Sequence, residues 1–357
     1  MRSKLLFAMK ILARVAVFFA ILFAILFALS GITNWVTSQE GKTDRHMRDY
    51  IYTYLGEQKK NSIDVFVGGD SETMASFSPI QAFEEEGIAS FPLVMPAARL
   101  SELVPMIQMS MENQSPKVLL LETNLLYQKI EPAVGFKVLM ESKISNRLMV
   151  FRLHNVWKHA FSPLPKQYKL WRGFRLRDGV APAVKVDEYM KQPADEKRPI
   201  AWMNRQLFNM ILRTCRKNHV RLILYSCPST TNYGMRKHNS LQELADENGL
   251  TYIDLNLAAD EIGIDWNADT FDQGDHLNLA GARKVTSYLV RDVKQLMPDL
   301  PDHRNDPEYA DWLTDAAEYD KAVEEVLGLI EDEAAAGGGD AVYEQGDIWS
   351  DWDKEIH

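Results

Sequence analysis

Val65-Phe-Val-Gly-Gly-Asp-Ser-Glu-Thr-Met74 is the stretch from which the fold can be read. Its apolar start, extended upstream by Ile63, reads as a buried strand, Ile63 to Val67, which Gly68 and Gly69 end. Ser71 then opens a short helical turn. Backbone N–H groups at such a start can stabilise an oxyanion, and a serine there becomes nucleophilic when a base is near. The plainer use of the same residues is a helix cap supplied by Asp70 or Ser71, with no chemistry attached.

Further apolar runs follow at Ser90 to Met95 (interrupted by Pro92), Lys117 to Glu122, Val220 to Ser226 and Leu250 to Leu255. Helical patterns lie between them at Pro96 to Asn113, Ile200 to Asn218 and Ser240 to Asn248. Nearly continuous apolar strands alternating with helices of this length predict an α/β fold, a parallel sheet with helices on both faces. Ligands in such sheets bind beyond the carboxyl ends of the strands. Ser71 follows the first strand, Asn124 the third, and His276 comes after the last, so all three are expected at one edge. His276 belongs to Phe271-Asp-Gln-Gly-Asp-His-Leu-Asn-Leu-Ala-Gly-Ala-Arg-Lys284, a Gly-containing turn that leads into a predicted helix, Leu279 to Leu289. A carboxylate beside a histidine fixes its tautomer and raises its basicity. A solvated loop is the bland reading of the same residues.

The ends of the chain carry different signals. Residues 1–14 hold Arg2, Lys4, Lys10 and Arg14 and no acid, and residues 15–32 run without a charge. That is about the length a helix needs to cross roughly 30 Å of hydrocarbon. The cationic flank predicts a single-pass anchor in the cell membrane, with a cytoplasmic N-terminus and an extracytoplasmic body. A cleaved signal peptide is the rival, with Ala28-Leu-Ser30 as small residues at suitable spacing. Trp35 suits the membrane–water interface.

Residues 33–60 read as a stalk, 61–300 as the main domain, and 125–199 as an insertion within it. From Lys137 to Arg177 there are ten Lys or Arg against one acid, Glu141, with Trp157, Phe161, Tyr168, Trp171 and Phe174 interleaved. Such a segment can be a solvated insertion or a cap over the catalytic edge that attracts an anionic polymer or lipid headgroups. Residues 301–336 read as an acidic helical extension with Trp312, Tyr319, Val323, Val326, Leu327 and Ile330 as its apolar positions. Residues 337–357, with Trp349 and Trp352, read as a flexible acidic tail.

The net charge of -10 argues against nucleic acid as a partner. Cys215 and Cys227 are too few for a disulfide framework and leave two buried thiols or one bridge open. No Cys or His spacing matches a zinc site, the Asp-rich run near Asp265 lacks the EF-hand pattern, and Gly68-Gly69 is too little for a phosphate loop. No metal and no cofactor are expected. The serine also lacks the Gly-x-Ser-x-Gly elbow of α/β-hydrolases.

Gly-Gly-Asp-Ser71-Glu, taken with the carboxylate–His276 segment, resembles the SGNH (GDSL-type) hydrolase superfamily over residues 63 to 296. The Leu-Asn-Leu-Ala-Gly-Ala run, with Asp-Thr-Phe-Asp before it, looks most like membrane-anchored SGNH proteins of Gram-positive bacteria. That group is similar to the partner protein of lipoteichoic acid D-alanylation, or acts beside membrane-bound O-acyltransferases. The resemblance implies a three-layer, flavodoxin-like sheet with Ser71 as nucleophile and one oxyanion donor, and His276 as base. The family places its acid three residues before the histidine, which here is Gln273. Asp272 and Asp275 are the candidates, and Asp272 is favoured because consecutive residues rarely face each other on a turn. Asn124 matches the side-chain oxyanion donor loosely. The glycine donor expected after the second strand is replaced by Met95-Pro-Ala-Ala98, so the N–H of Ala97 or Ala98 would substitute.

These residues lead to an expected serine acyltransferase or esterase acting on a cell-envelope glycopolymer or acylated carrier. An idle accessory subunit of a membrane-bound O-acyltransferase is the alternative.

Overall fold

The apolar runs become five parallel strands in the spatial order β2-β1-β3-β4-β5. The computed structural model describes residues 2–37, 51, 54–152, 170–191 and 195–339. The strands are β1 (Val65–Gly69), β2 (Ser90–Val94), β3 (Val118–Glu122), β4 (Arg221–Ser226) and β5 (Thr251–Asp254). This is the flavodoxin-like order of a doubly wound sheet. In chain order the helices used below are α1 (Arg2–Thr37), α2 (Ser71–Met74), α3 (Pro79–Glu86), α4 (Leu100–Asn113), α5 (Pro132–Arg147), α6 (Met149–Arg152), α7 (Trp202–Lys217), α8 (Met235–Asn248), α9 (Ala259–Ile262), α10 (Leu279–Leu296) and α11 (Ala310–Ala335).

Register turns strand alternation into two separate cores. Val67 lies opposite Leu120, and Leu120 opposite Ile223. These residues pack with Val285, Leu289 and Val293 of α10 on one face. Phe66, Leu119, Leu121, Leu222 and Leu224 point the other way, onto Leu103 and Ile107 of α4 and Leu207, Phe208 and Ile211 of α7. Each such fully buried aliphatic or aromatic side chain contributes roughly 1.5–3 kcal/mol. Pro92 is tolerated because β2 is an edge strand, where a missing N–H interrupts no ladder on the open side.

β1 continues through both glycines instead of stopping before them. The reason is a close approach: a Cβ on Gly69 would sit 1.8 Å from Thr73 Oγ1, because α2 folds back over the strand end. The helix α3 carries no strong periodic signal and was not foreseen. It is started by Ser78, whose side chain accepts from the Gln81 N–H, with Pro79 in its first turn.

The outer segments are drawn differently from the sequence expectation. Ile51 is fully buried and Leu55 is 8% exposed within the α4 and α7 core, so these two residues are part of the domain and not stalk. The acidic extension is likewise integral. Trp312 and Tyr319 of α11 are buried, and Tyr319 OH accepts from Ser78 Oγ at 2.9 Å. Trp171 and Phe174 of the insertion pack beneath α11, and Arg172 lies 3.9 Å over the Trp312 ring while pairing with Asp311 and Asp315. This part of the basic, aromatic segment is committed to α11, so it forms core and not a cap. Trp157, Phe161, Lys166, Tyr168 and Lys169 lie outside the described residues, as do Trp349 and Trp352.

At the N-terminus α1 is one continuous helix, and its membrane-compatible part, Leu6–Thr33, starts earlier than the charge-free run. Lys10 and Arg14 are one helical turn apart within it, and long cationic side chains can reach toward an interface while their stems stay apolar.

Candidate active site

The site is built where the carboxyl ends of β1, β3 and β4 meet the turn before α10. Asp70 follows β1 and caps α2, its Oδ1 accepting from the Glu72 N–H at 3.0 Å. The cap is therefore Asp70, which leaves the Ser71 hydroxyl out of that role. Ser71 is partly exposed, whereas Asp70 and Glu72 on either side of it are 2% and 4% exposed.

His276 is held by Asp272 through two contacts. Asp272 Oδ2 lies 2.6 Å from Nδ1 of the ring, and Oδ1 accepts from the His276 backbone N–H at 2.6 Å. Asp275 Oδ2 is farther, at 3.6 Å from Nδ1. The turn achieves this with left-handed backbone at Gln273 (φ 62°) and Gly274 (φ 94°). A Cβ on Gly274 would meet Thr230 Oγ1 at 2.2 Å, so that position requires glycine on both counts. The Gly274 carbonyl accepts from the Thr230 N–H at 2.9 Å and from Ser229 Oγ at 3.1 Å, which docks the turn onto the loop after β4.

The serine and histidine segments are brought together. His276 and Asp275 both act electrostatically on the Asp70 carboxyl, one residue before Ser71. Asn232, from the loop after β4, donates from Nδ2 to Glu72 Oε1 at 2.8 Å and also to Asp275 Oδ1. One amide therefore joins the residue after Ser71 to the residue before His276.

Asn124 is in this network. Its Nδ2 donates to Glu72 Oε1 at 3.0 Å, and its Oδ1 accepts from Lys237 Nζ at 2.7 Å. The amide expected to face an oxyanion thus gives a hydrogen bond to a carboxyl, and Lys237 fixes which way round it sits. Ala97 occupies the turn after the edge strand β2, exposed and with φ 47°. Glycine adopts that left-handed conformation more easily than alanine does.

Burial governs the charges. It pushes Glu72 well above the usual carboxyl range, helped by the nearby Glu122, Asp70 and Asp275. Burial and Asp70 push Glu122 up to about 8, although both its oxygens accept from the Asn124 N–H at 2.8 Å. Burial also raises Asp70. For His276, burial favours the neutral ring, but the bond to Asp272 and the charges of Asp272 and Asp275 outweigh it, and its pKa is raised. Asp272 is lowered for the reciprocal reason: the His276 contacts outweigh its burial.

Glu72, Glu122 and Cys227, and separately Asp272, Asp275 and His276, place possible metal-ligand atoms within 4.8 Å of one another. Both oxygens of Glu122 accept from the Asn124 N–H, and both of Asp272 contact the His276 ring or its backbone N–H. Cys215 and Cys227 are separate buried thiols, not a bridge.

Sequence reasoning missed Glu72, Glu122, Asn232 and Lys237. Glu72 stood in the first stretch quoted. Asn232 lies in Ser229-Thr-Thr-Asn-Tyr-Gly234, a polar run directly after a strand, and the strand-end rule would have pointed to it.

A cavity of about 440 Å³ adjoins this network, lined by Asn232 and Lys237 together with Lys197, Arg198 and Arg236. Lys197 pairs with Glu243 and Arg236 with Glu196, while Arg198 faces the Tyr127 ring at 5.5 Å.

No protein-family model matches the chain, and no curated protein does. Solved structures are similar to it. A protein from Bacteroides fragilis described as a candidate acylhydrolase aligns over 72% of this chain and 99% of its own, at 10% identity and a TM-score of 0.37. A GDSL-like lipase from Bacteroides thetaiotaomicron aligns over 70% and 98%, at 9% identity and a TM-score of 0.35.

Proposed function

We propose that the protein is a membrane-anchored, extracytoplasmic serine esterase or acyltransferase that acts on ester-linked acyl groups of a cell-envelope polymer. The observation that carries this reading is the Asp272–His276 pair, joined through Asp275 and Asn232 to the residue next to Ser71. In the proposed reaction Ser71 Oγ attacks the ester carbonyl carbon and its proton passes to His276 Nε2. The backbone N–H groups of Ser71 and Ala97 and the second N–H of the Asn124 amide, the one not given to Glu72, stabilise the oxyanion. Collapse breaks the ester C–O bond, and His276 returns the proton to the departing alcohol. Water or an acceptor hydroxyl then attacks the acyl-serine, with His276 taking its proton and returning it to Ser71. Hydrolysis and transfer differ only in that acceptor.

The raised pKa of His276 suits a base that must hold a proton between the two halves of the reaction. The cation-lined cavity beside Asn232 supports an anionic polymer as substrate. Continuity of α1 through Leu6–Thr33 supports the anchor, and the cationic start supports a cytoplasmic N-terminus. A membrane-bound O-acyltransferase would be a natural source of acyl groups at that surface.

Labelling of the full chain with a serine-directed fluorophosphonate tests the chemistry. Labelling that disappears in Ser71→Ala supports the enzyme. An unlabelled wild type supports an accessory subunit, the second reading, which Asn124 favours because Glu72 takes one of its two amide N–H groups.

A further inference from the structure

The helix α5 carries an apolar stripe on its outer face. Phe136, Met140 and Ile144 follow one another at four-residue spacing and are 60%, 43% and 50% exposed. The opposite face of α5 is spent on the core, with Leu139 6% exposed and Gly135 too close to Met203 and Ile130 for a Cβ. At 100° per residue Lys137 flanks the stripe on one side and Lys143 on the other, and Arg147 stands at its C-terminal end. Arg147 is bound by Glu112, which keeps that cation in place.

Directly after α5 the chain forms α6, and α6 packs on α1. The Val150 N–H donates to Ser30 Oγ at 3.2 Å, and Ser30 is 7% exposed. Ser30 lies three residues before the end of the membrane-compatible segment, Thr33, which is about 4.5 Å along a helix. If α1 crosses a bilayer, α6 sits at the outer boundary of the hydrocarbon, and α5 leaves from that level.

From this continuity we infer that the Phe136–Met140–Ile144 stripe lies on the outer leaflet of the bilayer in which α1 is anchored, with Lys137 and Lys143 directed to lipid phosphates. The inference rests on the proposed membrane anchor. An apolar stripe edged by lysines is the pattern of a helix lying in a membrane interface, since the stem of each lysine covers apolar surface while its ammonium meets the headgroups. Two attachment points, one spanning and one lying flat, would fix the tilt of the sheet relative to the membrane. A domain hung from α1 alone would swing.

The test uses the full chain, one copy per lipid nanodisc of phosphatidylcholine and phosphatidylglycerol, labelled with an environment-sensitive fluorophore. Labels are placed at Ile144→Cys, at Phe18→Cys within the span and at Glu324→Cys on the exposed side of α11. Cys215 and Cys227 are 1% and 3% exposed and do not compete for label. The expected result is a blue-shifted Ile144→Cys label quenched about twofold or more by lipids brominated near the headgroup, with Phe18→Cys quenched by deep bromines and Glu324→Cys unaffected. If Phe18→Cys is quenched and Ile144→Cys behaves like Glu324→Cys, the stripe faces water and the inference fails while the anchor stands. A blue shift without quenching means that protein covers the stripe, which also overturns it. An unquenched Phe18→Cys removes the anchor itself, and the inference with it.

Discussion

Asp272→Asn is the substitution that most directly probes the proposed chemistry. The carboxylate makes two contacts with His276, both at 2.6 Å, one to Nδ1 and one to the backbone N–H. Asparagine preserves the shape, but to keep the ring contact it presents an N–H to Nδ1, and the imidazole proton is driven to Nε2. A ring protonated at Nε2 cannot take the Ser71 proton. The expected loss in kcat is about 10⁴-fold, or ~5.5 kcal/mol at about 1.4 kcal/mol per decade.

Asp275→Asn removes a charge 3.6 Å from Nδ1 on a side chain that is 36% exposed. Screening at that exposure leaves an effect of about 1 kcal/mol, or about fivefold. The assay is fluorophosphonate labelling rate and aryl acetate hydrolysis by the full chain in neutral detergent, from about pH 5 to 9. Asp272 also helps raise the His276 pKa, so the limb on which activity rises with pH lies above the ordinary value of 6.5 in the wild type. It moves to lower pH in Asp272→Asn. A larger loss in Asp275→Asn than in Asp272→Asn, or an unmoved limb, refutes the assignment.

Three further perturbations have signs that can be worked out. Glu122 rises from 4.5 to about 8 on folding, so the folded protein keeps a proton that the unfolded chain has released. Stability therefore falls as pH climbs from about 4.5 to about 8, by a few kcal/mol. Glu122→Gln should flatten that slope in urea titrations at the two ends of the window, and an unchanged slope would count against the buried-acid explanation. Ala97 holds φ 47°, so Ala97→Gly should raise the urea midpoint by an amount worth ~1 kcal/mol, whereas a lower midpoint would mean that the turn is not strained. Arg172→Met removes the pairs with Asp311 and Asp315 and the contact over Trp312. It should cost ~1–2 kcal/mol and open α11 to limited proteolysis, and a protease-resistant variant would show that apolar burial alone holds the helix.

The sheet was legible because its strands are almost wholly apolar over whole lengths, and a parallel sheet buried on both faces leaves no polar alternation to confuse the pattern. The first strand shifted by two residues, because Gly68 and Gly69 read as its end and are part of it. Gly69 is the last residue of β1, and it makes room for Thr73. The insertion was harder to read. Trp171, Arg172 and Phe174 look like a charged aromatic surface when read locally, and their partners Trp312, Asp311, Asp315 and Tyr319 lie more than a hundred residues later. Local composition cannot show that a cation is spent on a distant acid. The strand-end rule points to Asn232 as a residue of the site, but not to the partners of its amide, Glu72 and Asp275, which are joined only once the loop after β4 folds over the strand ends.

Two positions at which the sequence departs from the pattern it resembles share a backbone feature. A glycine is expected after β2 and an alanine stands there; an acid is expected three residues before the histidine and a glutamine stands there. Both positions, Ala97 and Gln273, have positive φ. In the turn before α10 the left-handed pair Gln273–Gly274 bends the chain sharply enough that Asp272, one residue farther from the histidine, still meets the ring at 2.6 Å. The extra residue is taken up by backbone curvature, at a cost of about 1–2 kcal/mol for holding a non-glycine residue in that region. A spacing rule written in residue types counts such a site as incomplete. The contact itself depends on where the carboxylate arrives, and the docking of Gly274 on Ser229 and Thr230 holds the bend that brings it there.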